Sequence, residues 1–413
     1  MTEPSPLLTL FQPEEVRRKA HLLLDRAVAG DLEHVAVSLD NLDRAIETVL
    51  ETTRENYPDF QIPPYGLWRD LEAGGIDRWA ALADARAFET AGEMLVAAAD
   101  LAILGAFMTT LHPANWSYED RMTETRVTGR TASALAAFHM FAAGSFSAQM
   151  TDPYRVEAET LVRLDLKELA AGLQWDVRDN VDDLLEMQRH LKRLGEALAL
   201  RPDLFGAEEA TRPGLLAIAL AQNGDGTVDA GDLLDRLLEG LAAVWDGGAA
   251  LGDMCFGDSF HHSGLPGTAE ETIVPFHLAA QEMVYSLVEP LAWAGFEMTG
   301  LDKLTAPSDR AHAALFAHTG VLTVRDDGQD LLPDIATDRM IEIRAVSLAL
   351  TDRLADRLAA ELGAAPGDVP LTCILEGGTA RAGNRILEQA SGNKQMPGKF
   401  LNPGAVFWLP FGA

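Results

Sequence analysis

The segment from Asp84 to Thr109 limits the possible folds more than any other part of the chain. It is Ala-rich and apolar on most of its helical faces. A helix with no polar face has nothing to offer water, so other elements must enclose it. Its most apolar part, Met94–Met108, is interrupted by Asp100 and Gly105 and reads as too short to span a bilayer. The expectation is a central helix wrapped by further helices.

The rest of the chain supplies them. Pro13–Ala29 opens with Pro-Glu-Glu, suited to a first helical turn, and places Val16, Ala20, Leu23, Leu24 and Val28 on one face. Leu39–Asn56, Thr131–Phe141, Val181–Ala197, Asp232–Val244, Glu271–Trp293, Arg310–His318, Thr337–Glu361 and Gly377–Glu388 carry the same period. Strand candidates are few and short: Val321–Val324, Leu371–Leu375 and Ala405–Leu409. No internal repeat or low-complexity linker appears. The fold class expected is mostly α, a compact bundle-like domain with a few short strands. Residues 1–60 would form N-terminal helices packed on a main helical body, 61–413.

Composition then excludes several functions. The 413 residues carry 33 Lys+Arg against 63 Asp+Glu, a formal charge of −30. Such a surface repels nucleic-acid phosphates and anionic lipid, so neither nucleic acid nor membrane is an expected partner. Cys255 and Cys373 form no CxxC pair, which argues against a disulfide scaffold and a structural zinc site. Met1–Phe11 lacks a basic segment followed by a long apolar run, so a cytoplasmic location is expected. Ala221–Asp232 resembles a calcium loop with Gly226 at the turn. It begins with Ala221 and ends on Asp232 rather than a bidentate Glu, so a helix-capping turn is the simpler reading. His261 and His262 are adjacent, point apart on an extended segment, and do not suggest a metal site.

Four segments combine polar residues with Gly or aromatic neighbours. Pro63–Trp79 crowds Trp68, Arg69, Glu72, Asp77 and Arg78 around a Gly-Gly turn. Leu251–His262 is a polar, glycine-punctuated loop containing Asp253. Val274–Pro290 spaces His277, Gln281 and Tyr285 along one helical stripe, a polar line that either pairs with neighbours or lines a pocket. Met340–Leu348 sets Glu342 and Arg344 in an apolar helix, two apart, so each should serve a different partner.

These segments also carry a resemblance. The order VPFHxxxQxxxYSLxEPLxxAGxxxTGLDxLT over Val274–Thr305 resembles the uracil catabolism protein 4 family, a domain of unknown function. Gly320–Leu322, the EIRA run at Glu342 and LEGGTxxAGxRI over Leu375–Ile386 fit the same pattern. So do Trp68–Arg78, Met140–Ser147, Asp152–Ala158 and Arg193–Gly206. More distantly, FHxxxQ, LTxxxxD, GVL and EIRA are similar to the queuosine 5′-phosphate N-glycosidase family, an all-α fold related to DNA glycosylases. The acidic position of that pattern falls on Asp309.

The resemblance implies N-glycosidase-type chemistry on a small nucleoside- or ribosylurea-like substrate, in uracil or specialised nucleoside metabolism. Asp309 is the leading carboxylate for stabilising an oxocarbenium-like sugar, with Asp253 and Glu342 as secondary candidates. Gln281, Tyr285, Arg344, His277, Arg69 and Arg78 would hold the substrate, and Trp68 would stack on it. No cofactor or metal is implied, and a homo-oligomer is compatible. A non-catalytic nucleoside-binding paralogue, or a transferase or lyase at the same sugar site, is the alternative. The chain departs from the family pattern at Thr109, Trp116-Ser117-Tyr118, Arg130-Thr131, Leu278 and Met254-Cys255-Phe256. A divergent paralogue with a different substrate fits these departures.

Overall fold

A computed structural model describes residues 6–110, 116–176, 178, 181–206, 210–325, 334–361, 365, 369–393 and 401. Helices dominate, and the described strands form five two-stranded ladders. The chain divides into two compact units, and each is interrupted in sequence by the other. The first comprises Met1–Tyr65, Trp245–Gln281 and Gly300–Ala413; the second comprises Gly66–Val244 and Glu282–Thr299.

The first unit is built around the helix Asp338–Glu361, which packs on Pro13–Ala29, Leu42–Asn56 and Arg310–His318. Their facing residues, among them Leu23, Leu24, Ile46, Val49, Phe316, Ile341 and Leu350, form one buried apolar cluster. The helix Pro13–Ala29 has the bounds its period predicts: Pro13 opens it, and Gly30 closes it with φ +82°. Val35–Val37 pairs antiparallel with Leu322–Val324, in the register Val35 to Val324.

The second unit is organised around the apolar helix. It runs Ala91–Met108, is buried from Leu95 onward, and packs on Gly129–Ala142, Leu215–Asn223 and Leu67–Leu71. By length and composition alone this helix could cross a membrane, contrary to the sequence reading, but 78% of it lies inside the fold. Its buried charge, Asp100, is paired within the fold. Asp100 accepts hydrogen bonds from Val156 N (2.9 Å), Gly214 N (2.8 Å) and Arg212 Nε (2.8 Å). Burial still pushes the Asp100 carboxyl above its ordinary pKa, with Arg212 opposing.

Three expected elements change. The helix expected from Asp84 is broken: Arg78–Arg86 ends at Ala87 (φ +50°), and Thr90 starts the next helix by accepting from Glu93 N. The helix expected from Glu271 begins at Leu278, because Ile273–Pro275 pairs antiparallel with Ser259–His261. The strand expected at Leu371–Leu375 is helical, a turn at Leu371–Ile374 running into a π-helix, Leu375–Thr379. Ala405–Leu409 lies outside the described residues. In the calcium-like stretch, Asp229 caps the helix Ala230–Leu241 through Gly231 N and Asp232 N.

Candidate functional site

Asp309 stands at the N-cap of Arg310–His318. Its Oδ1 accepts from the backbone N–H of His312 at 2.9 Å and from the His312 Nδ1 at 2.7 Å. The other ring nitrogen, Nε2, lies 3.0 Å from Thr379 Oγ1. A carboxylate acceptor places a proton on Nδ1, and Nε2 meets the Thr379 hydroxyl. The result is a carboxylate–imidazole–hydroxyl chain. His312 and Thr379 are fully buried, whereas the Asp309 side chain keeps 21% of its surface exposed. The adjacent Arg310 is half-buried and donates to the Leu401 carbonyl; desolvation draws its pKa down to about 10.

Thr379 is placed by the π-helix. A π-turn inserts one extra residue and needs room around it, and such turns concentrate at functional sites. Gly378 supplies that room: a Cβ there would lie 2.3 Å from Val49 Cγ1. Gly383, in the helix Ala380–Asn393, does the same beside Asp309, since a Cβ would stand 2.0 Å from the Ala311 carbonyl oxygen. The π-helix also carries buried Glu376, which accepts from Tyr57 Oη (2.7 Å) and Arg381 Nε (2.7 Å). Burial and the Glu376 charge push the Tyr57 phenol up to about 12.

The other sequence-derived candidates of this unit occupy different settings. Arg344 is fully buried and grips Asp258 with two parallel bonds of 2.7 Å. Its Nη2 reaches Ser308 Oγ (3.0 Å), its Nε reaches Ser308 O (3.3 Å), and its guanidinium lies 4.0 Å from the Phe276 ring centre. Gln281 binds Thr305 at both ends, through Oε1 to Thr305 N and Nε2 to Thr305 Oγ1, each 2.8 Å. His277 Nε2 donates to the Leu10 carbonyl at 2.8 Å; its Nδ1 is buried without a partner, and its φ is +51°. Burial lowers the His277 pKa. Glu342 Oε2 accepts from His34 N and Val35 N, fixing the start of a strand, and its Oε1 meets His262 Nε2 at 3.4 Å. Glu342 and Arg344 thus serve different partners. Asp253 sits exposed at the tip of the hairpin formed by Ala250–Leu251 and Met254–Cys255.

In the second unit, Trp68 and Arg69 line an open cavity of about 370 Å³. Arg69 bonds to Glu72 (2.9 Å) and Glu289 (2.7 Å). Arg78 is buried, pairs with Asp120, and donates to the carbonyls of Leu71 and Ala73. For Asp120, burial opposes ionisation, but bonds from Thr123, His139 and Arg78 outweigh it and hold the carboxyl well below the usual range. Tyr285 is buried in the same unit. Asp309 is linked to the π-helix through His312.

Three residues central to these arrangements were not singled out from the sequence as site residues: His312, Thr379 and Asp258. The Asp309–His312 spacing of three at a helix start was a readable signal, because an N-cap carboxylate and the residue three on face each other. Nothing local marked Thr379 or Asp258. Among the described residues no group of three His, Cys, Asp or Glu side chains is arranged to hold a metal.

Residues 9–407 match the family model described as protein of unknown function DUF1688. The chain belongs to the DUF1688 family. It is also 24% identical to Uracil catabolism protein 4 of Lachancea kluyveri, over 98% of this chain and the whole of that protein. Within this DUF1688 chain, Thr109 closes the apolar helix and bonds back to Ala106 O. Arg130 and Thr131 both hold Asp70, and Arg130 also reaches Glu282 (2.9 Å). Leu278 is buried and offers its backbone N–H to Asp258 Oδ2.

Proposed function

We propose that this DUF1688 protein is an N-glycosidase-type hydrolase acting on a small nucleoside- or ribosylurea-like molecule in uracil or nucleoside breakdown. The observation that carries the reading is the Asp309–His312–Thr379 chain. Asp309 is the one of the three proposed carboxylates that is part-exposed, at a helix N-terminus and oriented by a buried imidazole. Glu342 is tied to backbone N–H groups and His262, and Asp253 has no buried surroundings. The similarity to a uracil catabolism protein supports the substrate class.

Cleavage of an N-ribosidic bond leaves positive charge on C1′ and the ring oxygen. A fixed carboxylate stabilises that charge more in the transition state than in the ground state, which is what accelerates the step. The N–C1′ bond breaks with its electron pair leaving on nitrogen. Water adds to C1′ and gives one proton to Asp309; the leaving nitrogen takes up a proton from solvent, and Asp309 returns its own to solvent, so that one water is consumed and the carboxylate is regenerated. His312, fixed between Asp309 and Thr379, keeps the carboxylate from rotating as charge develops.

The test is sugar release by purified protein from nucleosides, their 5′-phosphates and ribosylurea, alongside Asp309→Asn. Release that Asp309→Asn abolishes supports the reading; release unaffected by that change, or no release from any substrate, overturns it. Gln281, Arg344 and Arg78, all expected to hold the substrate, are already bonded within the protein, so the reading rests on Asp309 and not on them.

A further inference from the structure

We propose that the tryptophan-walled cavity of the second unit is a binding site for an organic cation of the alkylammonium class, independent of the hydrolase reading. Its volume of about 370 Å³ falls at the small-molecule end of binding pockets. Three indole rings shape it. Trp68 is buried and locked by its Nε1 donating to Ser286 O at 2.7 Å. Trp68 presents its ring at 62° to Trp79 and 71° to Trp293, with centroids 5.4 and 4.7 Å apart. Trp79 and Trp293 run within 12° of parallel at 5.9 Å and are already in contact. No slot remains between them for an intercalated aromatic ligand, so a ligand meets ring faces and edges from the cavity side.

Charge selects among the ligands that would fit. The lining carries four carboxylates, Glu72, Asp77, Asp84 and Glu289, against the single guanidinium of Arg69. That guanidinium is held between Glu72 and Glu289 at 2.8 and 2.7 Å. Asp77 is engaged in capping the helix Arg78–Arg86 through Ala80 N. An anion is repelled by this lining. A hard metal ion prefers an all-oxygen shell to indole faces. A soft, alkylated ammonium gains from both: cation–π attraction to the rings and Coulomb attraction to the carboxylates, while its carbons meet Met94 and Ala83. Trp293 is among the exposed large apolar side chains, at 38%, and such a ligand would cover it.

The probe is choline, compared with its neutral isostere 3,3-dimethylbutan-1-ol, at constant ionic strength, read by tryptophan fluorescence and by calorimetry on the full chain. Choline should titrate to saturation and the isostere should bind at least about ten-fold more weakly. Trp293→Ala should weaken choline by about ten-fold and Asp84→Asn by about three-fold, with cooperative unfolding retained in both. Both positions are exposed, so loss of fold is not the expected result; Trp68, which is buried, is left intact. Equal binding of choline and the isostere would reduce the site to an apolar pocket and overturn the proposal. So would the absence of saturable binding, or choline affinity unchanged in Trp293→Ala. Sugar release plays no part in these readouts, so failure of one reading leaves the other standing.

Discussion

Asp258 and Asp309 lie in the same unit, and each meets a basic side chain. Arg344 closes both oxygens of Asp258 in a bidentate pair, and both residues are out of reach of water. Asp309 meets an imidazole on Oδ1 and is 21% exposed. A guanidinium keeps its charge at any pH the protein meets and saturates a carboxylate geometrically; an imidazole orients it while remaining able to shift a proton. The first arrangement makes a structural clamp, and the second is the one on which the proposed hydrolase reading rests. A basic partner at a similar distance therefore leaves the two carboxylates in different settings, set apart by burial and by the chemistry of the partner.

The largest expected effect breaks the comparison at Asp309. Asp309→Asn should lower sugar release by about ten-thousand-fold, roughly 5 kcal/mol of transition-state stabilisation. Asn is as good an N-cap as Asp, so urea unfolding of this variant should be nearly unchanged. The opposite pattern is expected at Asp258. Asp258→Ala leaves the Arg344 charge buried alone and should cost about 3–5 kcal/mol in urea unfolding. The double variant Asp258→Leu, Arg344→Met should recover most of that loss, because the Coulomb gain of a buried pair barely exceeds its desolvation cost.

A smaller effect probes the support behind Asp309. Gly378→Ala pushes a methyl against Val49 and should cost about 1–3 kcal/mol of stability. It should also reduce sugar release by moving Thr379 away from His312, a fall in kcat rather than a rise in KM. The smallest effect concerns pH. His277 is buried with a pKa below its ordinary 6.5, so the native state stays neutral where the unfolded state takes up a proton. Its contribution to stability is therefore present above pH 6.5 and is lost as pH falls toward the folded value. His277→Asn, which tolerates the positive φ, should flatten the unfolding free energy measured between about pH 7 and 5, by less than about 1.4 kcal/mol per unit.

The sequence was most legible where local signals agreed. Pro13–Ala29 and Arg310–His318 match their expected bounds, because period, caps and breakers all lie within the segment. It misled where an apolar run had no local arbiter. Ile273–Pro275 reads equally as helix or strand, and only its pairing with Ser259–His261 decides. Leu371–Leu375 reads as a short strand, yet Cys373 N and Ile374 N both donate to Pro370 O, which makes it a helical turn. At the site, Asp309 was reached through the family pattern. Its partner His312 lay three residues away in plain view, and Thr379 became visible only once the π-helix was folded.

The amino-acid order alone determined the helical class, the enclosure of the apolar segment, the acidic surface and the DUF1688 pattern. Each follows from period, composition or motif order, which are properties of neighbouring residues or of the chain as a whole. Tertiary structure alone decided the burial and the partners of each charge. Asp258 and Arg344, His312 and Thr379, and Trp68 and Trp293 are pairs brought together from far apart in the sequence. The energy of a charge or a ring depends on the burial and partners it finds there, and residue type does not encode either.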